Sequence, residues 1–341
     1  MGSNPTPSVQ DPATDADPAV SRDGRVGGRP LRRGSDGGEG LGRLGRVATK
    51  LTNRVLDWRS RGASETFRGH RIHVFRQDGE GVPVVLLHGF PSSSYDWKTL
   101  LDEVRDRPVL AFDFLGFGLS DKPRDHLYSL HWQADLTEEL VRRHLPDQPV
   151  FIVAHDMGTS VSTELMARDI DGHLTFEIAG ALLFNGSMVI DRASLTRTQK
   201  LLRSGIGPLA ARLASRRVFD LEFGGLFSPD HPLTDEEADD QWSLICHNRG
   251  RSLNHRLIHY ITERERLTDR WHGAISDWPG SLSLAWGELD PVATTAVLDA
   301  VIELRPGVPL NRLPTIGHYA QIEDPAAIAA ALEQAIERSA A

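Results

Sequence analysis

The residues that most clearly indicate a catalytic reaction lie in a short segment around Asp156. Residues 151–159, FIVAHDMGT, have the pattern of an apolar strand, a sharp turn and the start of a helix. The small residues Ala154 and Gly158 lie two positions before and after Asp156, as the crowded and strained turn of a nucleophile elbow requires. Serine is the usual residue at the centre of that turn. The pattern therefore predicts that Asp156 is a catalytic nucleophile.

An aspartate in this position selects a chemistry that differs from that of serine. A carboxylate is already ionised near pH 7, and it can displace a leaving group at a saturated carbon. The product is an alkyl ester of Asp156, which water must then hydrolyse, so a base such as His318 is needed in the second step. Epoxides and halides are the substrates implied. Asp156 could instead serve only as a helix N-cap, and the partner residues decide between these roles.

Two further residues complete a catalytic group in the expected chain order. After the nucleophile of such an elbow, the acid comes first and the histidine second. Asp290 follows a predicted strand, in WGELDP, and His318 follows the last predicted strand, in IGHY. Asp290 would hold the imidazole tautomer and stabilise the imidazolium that forms. Glu288 and Asp191 are alternative candidates for the acid, because each also follows a predicted strand.

Backbone amides near Asp156 are candidates for an oxyanion hole. Residues 87–91, LHGFP, end one strand and open a loop. Such a loop supplies one N–H group, and the residue after the nucleophile supplies the other. We therefore expect the amides of Phe90 and Met157 to face the oxyanion that develops when water attacks an Asp156 ester.

Ring side chains are the candidate substrate contacts. Tyr260 and Trp271 lie in a long segment without predicted strands, and His155 directly precedes the nucleophile. His155 is also interpreted, with His88, as a structural residue close to the site. The sequence thus leaves open whether His155 contacts substrate or only supports its neighbours.

The elements that must position these residues alternate between strands and helices. Apolar runs and helical periodicity predict strands at 72–75, 82–87 and 109–114, a helix at 131–145, a strand at 150–154, a helix at 157–169, strands at 180–184 and 282–286, a helix at 292–303, a strand at 309–313 and a helix at 325–339. This alternation predicts an α/β fold with a mostly parallel sheet between helices. Residues 63–188 and 279–341 form its core, and residues 189–278 form a helical lid, or cap, domain.

Composition fits a globular enzyme. The 341 residues are 40% hydrophobic and 25% charged, and a net charge of −9 argues against nucleic-acid binding. The single cysteine, Cys246, indicates a reducing and hence cytoplasmic compartment. Neither a secretory signal nor an apolar run of 18 residues is present.

His255 and His259 have no Glu or Cys partner for a metal, so we expect no metal and no cofactor. The expected partners are a small apolar substrate and water.

The N-terminal region has its own composition. Residues 1–40 contain few large apolar residues, which predicts a disordered tail. Residues 41–62 place Leu44, Val47, Leu51, Val55 and Trp58 on one helical face among basic residues. We favour a helix packed on the enzyme body, and the alternative is a peripheral membrane contact. Residues 1–62 carry 11 Lys and Arg against 7 Asp and Glu, a net charge of +4, so the remainder carries −13.

Several short segments between residues 70 and 340 carry a family resemblance. They are LLHGFPSSSYDW (86–97), DFLGFGLSDKP (113–123), HDMG (155–158), NGS (185–187), the segments around residues 260 and 270–271, LDPV (289–292), HY (318–319) and EDP (323–325). Together they resemble the mesoderm-specific transcript family of α/β-hydrolases, which is related to epoxide hydrolases and haloalkane dehalogenases. The resemblance implies an α/β-hydrolase fold.

Departures from the better-defined relatives favour one activity. Epoxide hydrolases typically use two lid tyrosines as proton donors, whereas the lid here contains one, Tyr260. Haloalkane dehalogenases typically bind the halide through a tryptophan after the nucleophile and a second Trp or Asn, where this chain has Met157 and Phe90. Residues 88–91, HGFP, have a form more like that of epoxide hydrolases. We therefore predict an epoxide hydrolase with a covalent alkyl-aspartate intermediate. The alternatives are a haloalkane dehalogenase, a lipid-ester hydrolase or acyltransferase, and a ligand-binding protein without turnover.

Overall fold

A twisted sheet is the centre of the computed structural model, which describes residues 50–340. Within this range the strands are Gly62–Phe67 (β1), His70–Gln77 (β2), Val84–Leu87 (β3), Val109–Phe112 (β4), Val150–His155 (β5), Ile178–Phe184 (β6), Leu282–Gly287 (β7) and Leu310–Leu313 (β8). Their order across the sheet is β1-β2-β4-β3-β5-β6-β7-β8. Strand β2 is antiparallel to both β1 and β4, and β3 to β8 run parallel. The predicted α/β-hydrolase architecture is confirmed.

The central strands are apolar along their whole length because both faces of the sheet are covered. In β3, Val85 and Leu87 belong to one apolar cluster, whereas Val84 and Leu86 belong to a second one. Alternate side chains of a strand point to opposite faces, so these two clusters are the two halves of the core. Continuous apolar runs are typical of parallel strands buried on both sides.

Helices cover the sheet and fill the segment between β6 and β7. They are Asn53–Arg61 (α1), Leu100–Glu103 (α2), Leu130–His144 (α3), Met157–Ile170 (α4), Arg197–Arg203 (α5), Gly207–Leu213 (α6), Arg216–Gly224 (α7), Asp235–Cys246 (α8), Asn254–Leu257 (α9), Tyr260–Arg266 (α10), Thr268–Asp277 (α11), Thr295–Leu304 (α12), Ala320–Glu323 (α13) and Pro325–Ser339 (α14). Short 3₁₀ segments lie at Ser94–Trp97, Ile190–Arg192 and His247–Leu253. Helices α5 to α11 occupy the region predicted as the lid, residues 189–278, which we call the insertion. In the part of the chain that the structure describes, no helix is long and apolar enough to cross a membrane.

The N-terminal helix is shorter than the sequence predicts. The predicted tail and residues 41–49 lie outside the described residues. Helix α1 begins only at Asn53, because Thr52 has an extended backbone and its hydroxyl accepts a hydrogen bond from the amide of Val55. Leu51 therefore lies outside the helix, and the predicted continuous helix over 41–62 is wrong at this point. Val55 and Trp58 are buried, as expected for a helix packed on the enzyme body.

A buried carboxylate, Asp240 on α8, connects the insertion to the N-terminal part of the chain. It accepts hydrogen bonds from the hydroxyls of Thr52 and Tyr95, at 2.5 and 2.7 Å, and from Nε of Arg54 at 2.7 Å. Only 1% of Asp240 is exposed. A buried charge is tolerated when it is paired and hydrogen-bonded in this way.

Replacement of Asp240 should destabilise the fold. Asp240→Ala removes the shared acceptor of three donors, so we expect the free energy of unfolding to fall by about 2–4 kcal/mol, measured by urea titration. Asp239→Ala is the matched control, because Asp239 is more than half exposed and pairs only at the surface with Arg216. Its expected loss is below about 1 kcal/mol. Equal losses in the two variants would show that the Asp240 contacts do not stabilise the protein.

Candidate active site

The backbone at Asp156 bends sharply between β5 and α4. Its φ of 44° and ψ of −110° are unusual for a residue with a side chain. The bend has little free space around it. A Cβ atom on residue 158 would lie 2.2 Å from the carbonyl oxygen of Leu87, and one on residue 89 would lie 2.7 Å from Cβ of Asp156. Glycine is therefore required at both positions, as the sequence predicts for Gly158.

The carboxylate of Asp156 is held by the loop after β3. The backbone amide of Phe90 donates a hydrogen bond to Oδ2 of Asp156 at 2.9 Å. Met157 is the first residue of α4, and amides of the first helical turn have no partner within the helix. Its N–H group is therefore available for negative charge that develops beside Asp156. The arrangement fits the oxyanion hole predicted from Phe90 and Met157.

His318 and Asp290 form a buried pair. Nδ1 of His318 donates to Oδ2 of Asp290 at 2.6 Å. The same carboxylate oxygen accepts from the side-chain amide of Asn185 at 2.9 Å, and Oδ1 accepts from the backbone amides of Val292 and Ala293 at 2.7 and 3.0 Å. All acceptor directions of Asp290 are thus used to fix its orientation, and the imidazole presents Nε2 away from this carboxylate.

The electrostatic setting of His318 favours its protonated form. Burial lowers the pKa of His318, but the negative charge of Asp290 and the hydrogen bond to it outweigh burial, and Asp156 adds to the effect. The net result is a pKa above the ordinary value of 6.5. An imidazolium formed during catalysis would therefore be stabilised in place.

The other two acids considered from the sequence lie elsewhere. Glu288 forms an ion pair with Arg312 at 2.5 Å at the edge of the sheet. Asp191 is exposed, in a short 3₁₀ segment. Neither contacts His318, so Asp290 is the partner of the imidazole.

His88 and His155 support the backbone around the site. Nε2 of His155 donates to the carbonyl oxygen of His318 at 2.8 Å, and Nδ1 of His88 donates to the carbonyl oxygen of Gly89 at 2.8 Å. Nε2 of His88 accepts from the amide of Phe114. Burial lowers the pKa of His88 to about 4 and that of His155 well below its usual value. Both are neutral, and the position of His155 does not support the predicted substrate contact.

A buried arginine that the sequence analysis did not single out completes the surroundings of Asp156. Arg264, on α10 of the insertion, is 2% exposed. It donates to the backbone carbonyl oxygen of Asp156 at 2.8 Å and to the hydroxyl of Ser160 at 2.7 Å. Its guanidinium lies 4.0 Å from Oδ1 of Asp156 and 4.7 Å from the ring centroid of Tyr260. The insertion thus places a cation directly beside Asp156.

The two aromatic residues predicted to contact substrate have different positions. Tyr260 is buried, and its ring centroid lies 5.6 Å from that of Phe90. Burial, followed by the charge of Asp156, raises the pKa of Tyr260 well above its usual value, so it keeps its proton. Trp271 instead donates its indole N–H to Glu164 on α4 at 2.9 Å. This position does not support the substrate contact predicted for Trp271.

A cavity of about 110 Å³ lies between Asp156, His318 and the insertion. Phe90, Asp156 and His318 line it from the carboxyl edge of the parallel strands, which is where open α/β sheets bind ligands. The remaining walls are mostly apolar side chains of the insertion, among them Leu202, Phe219, Phe223, Leu226 and Ile245, with a few polar groups that include Gln199, Trp242 and Asn254. The site can therefore enclose a small, largely apolar molecule next to a carboxylate and an imidazole.

Comparisons with known proteins show the family to which the chain belongs. The model of the Alpha/beta hydrolase family matches residues 84–331. The putative hydrolase LipZ of Mycobacterium tuberculosis is 49% identical over 277 residues, which cover 81% of this chain and 96% of that protein. The mesoderm-specific transcript protein of Mus musculus is 35% identical over 291 residues, which cover 81% and 86%.

A solved structure supports the fold alone. Haloalkane dehalogenase DbeA from Bradyrhizobium elkani has a TM-score of 0.68 and 21% identity, covering 82% of this chain and 98% of that one. The family model spans well over half of the chain, and the mesoderm-specific transcript relative is matched over most of its own length. The chain therefore belongs to the alpha/beta hydrolase family, and within it resembles the mesoderm-specific transcript proteins predicted from its motifs.

Proposed function

We propose that the protein hydrolyses an epoxide through a covalent ester of Asp156. The observation that carries the proposal is the carboxylate at the strained turn, which lines an apolar cavity together with His318. A serine hydrolase needs a base to deprotonate its nucleophile, whereas this carboxylate is ready to attack a saturated carbon. The paired His318 and Asp290 then serve the second step, the hydrolysis of the ester.

In the first step, a carboxylate oxygen of Asp156 attacks an epoxide carbon. The C–O bond of the ring breaks, and the alkoxide takes the proton of a nearby acid. Tyr260 is the candidate for this acid, because its ring packs 5.6 Å from that of Phe90, which lines the cavity, and because the charge of Asp156 contributes to the rise in its pKa. The Phe90 amide already holds Oδ2, so Oδ1 is the oxygen that is free to attack.

In the second step, Nε2 of His318 removes a proton from water, and the hydroxide attacks Cγ of Asp156. Negative charge then develops on the carbonyl oxygen of the ester, which is Oδ2. The amides of Phe90 and Met157 stabilise this charge, and a single donor of this kind contributes about 10²–10³-fold in rate. Collapse of the intermediate breaks the ester bond, the imidazolium returns a proton to the departing alkoxide, and a diol leaves. The regenerated carboxylic acid of Asp156 then gives its proton to the Tyr260 phenolate, which restores both groups.

Arg264 has two roles in this scheme. Its positive charge lies 4.0 Å from Oδ1 and orients the attacking carboxylate by electrostatic attraction. Its hydrogen bond to the carbonyl oxygen of Asp156 also stabilises the unusual backbone conformation of that residue. The insertion thereby contributes to the catalytic geometry as well as to the cavity wall.

The covalent intermediate should accumulate when its hydrolysis is blocked. His318→Gln removes the base for water but leaves Asp156 intact, so incubation with a panel of epoxides should add the mass of one epoxide to the protein. Intact-mass and peptide mass spectrometry should place the adduct on Asp156. In the unmodified chain, a single turnover in water labelled with heavy oxygen should transfer the label into the Asp156 carboxylate.

Matched variants separate the proposed chemistry from its alternatives. Asp156→Asn in the His318→Gln background should form no adduct. An adduct formed from haloalkanes but not from epoxides would identify a dehalogenase, and an acyl adduct from esters would identify an ester hydrolase or acyltransferase. Tight ligand binding by the single variants Asp156→Asn and His318→Gln, with no adduct of any kind, would identify a binding protein and contradict the proposal.

The pH dependence should report the Asp290–His318 pair. His318 is active as a base only when neutral, and its pKa is raised, so turnover should decline as the pH falls through a value above 6.5. In Asp290→Asn, the negative charge that raises the pKa of His318 is lost, whereas the burial that lowers this pKa remains. We expect the decline to move to lower pH and the maximal rate to fall on the order of 10²–10⁴-fold. Glu288→Gln is the control, and an equal displacement in it would refute the assignment.

Removal of the Arg264 charge should slow alkylation. In the His318→Gln background, Arg264→Met should lower the rate of adduct formation about 10- to 100-fold, measured by quenched-flow mass spectrometry. Arg264→Lys keeps the positive charge but loses the planar guanidinium, which donates two hydrogen bonds at once. An intermediate rate is therefore expected. Arg266→Met, an exposed position on the same helix, should have no effect. An unchanged rate in a folded Arg264→Met protein would exclude this role.

A further inference from the structure

Large apolar side chains are exposed on three consecutive helices of the insertion. Ile206, Leu209 and Leu213 are 61%, 57% and 71% exposed, and their spacing of three and four places them on one face at α6. Leu201 on α5, and Val218 and Leu221 on α7, are exposed as well. We call these six side chains the α5–α7 surface. Soluble monomers rarely expose so many large apolar groups in one segment without a function.

The charge of the same segment is strongly positive. Residues 197–224, which contain α5–α7, have six Arg and Lys and two acids, Asp220 and Glu222, a net charge of +4, whereas the whole chain has a net charge of −9. Two of these cations have acidic partners, namely Arg203 with Glu265 and Arg216 with Asp220 and Asp239. Among the residues that the structure describes, the others, including Arg197, Lys200 and Arg212, form no ion pair. The helices that carry these exposed apolar groups thus have a net positive charge.

The α5–α7 surface is continuous with the mouth of the cavity. Val218 is 47% exposed and also lines the cavity, and its neighbours Ala214 and Phe219 line it too. Leu202, next to the exposed Leu201, belongs to the opposite, cavity-lining side of α5. Val218 therefore belongs both to the exposed face of these helices and to the cavity that Asp156 and His318 line.

We propose that the α5–α7 surface docks on an anionic lipid bilayer. Apolar side chains combined with cations are the requirements for lying in the interface of a negatively charged membrane. A second copy of the chain is disfavoured, since a two-fold interface would bring this positive surface against itself. Residues 1–62 are disfavoured as a cover because their net charge is also positive. Docking would let an apolar substrate enter the cavity from the lipid phase, and the inference does not depend on the Asp156 chemistry.

Vesicle binding by the full chain tests the proposal. The protein should sediment with vesicles of phosphatidylcholine and phosphatidylglycerol, and binding should weaken at high salt and with phosphatidylcholine alone. Leu209→Ser with Leu213→Ser should lower the partition coefficient at least tenfold, and so should Lys200→Glu with Arg212→Glu. Two single substitutions serve as controls, namely Leu127→Ser and Arg338→Glu. Both positions are exposed and lie outside the α5–α7 surface. Both control variants should bind the vesicles as the original protein does.

Three results would overturn the proposal. The first is equal binding by the variants of the α5–α7 surface and by the controls, which would assign any membrane contact to another part of the chain. The second is binding that is indifferent to lipid charge. The third is a dimer in sedimentation velocity that only the Leu209 and Leu213 substitutions dissociate, with no vesicle binding. Unchanged circular dichroism and thermal midpoints in all variants would exclude unfolding as the cause of a loss.

Discussion

The bend in the backbone at Asp156 is the constraint on which the site depends. A non-glycine residue in such a conformation costs about 1–3 kcal/mol and persists only where its surroundings fix it. Here the carbonyl oxygen of Asp156 accepts hydrogen bonds from the hydroxyl of Thr159 and from Arg264. Gly89 and Gly158 leave the space that the bend needs. Strand, helix and insertion thus combine to hold one carboxylate in a position that a relaxed chain would avoid.

Much of the architecture could be predicted from the sequence because its pattern is local. The buried strands are unbroken apolar runs, and the reactive residues are polar groups that immediately follow them, so Asp156 and Asp290 stand out from their neighbours. Edges and ends were harder to predict. Strand β1, Gly62–Phe67, is polar and mostly exposed, and it exists because it pairs with β2. The start of α1 depends on the single hydroxyl of Thr52.

The surroundings of the catalytic residues could not be predicted in the same way. Arg264 is one of many arginines in a helical segment, and nothing in its spacing distinguishes it from the exposed Arg266. Asn185 holds Asp290 across more than a hundred residues of chain. The sequence predicts that Trp271 lines the pocket, but its indole N–H donates a hydrogen bond to the buried carboxylate of Glu164. These contacts arise from the packing of the insertion on the sheet, which a single sequence does not encode locally.

Helix α8 attaches the insertion to the enzyme body, and substitutions in this helix therefore have different consequences from substitutions in α5 and α7. Asp240, Glu237 and Gln241 on this helix bind side chains of the enzyme body, including Lys98 and Asp96. The opposite side of the cavity comes from α5 and α7. Mutations there can reshape the pocket while the catalytic turn and the anchoring helix stay intact. New substrate ranges can therefore arise from substitutions of the cavity-lining residues of α5 and α7, away from the turn that holds Asp156.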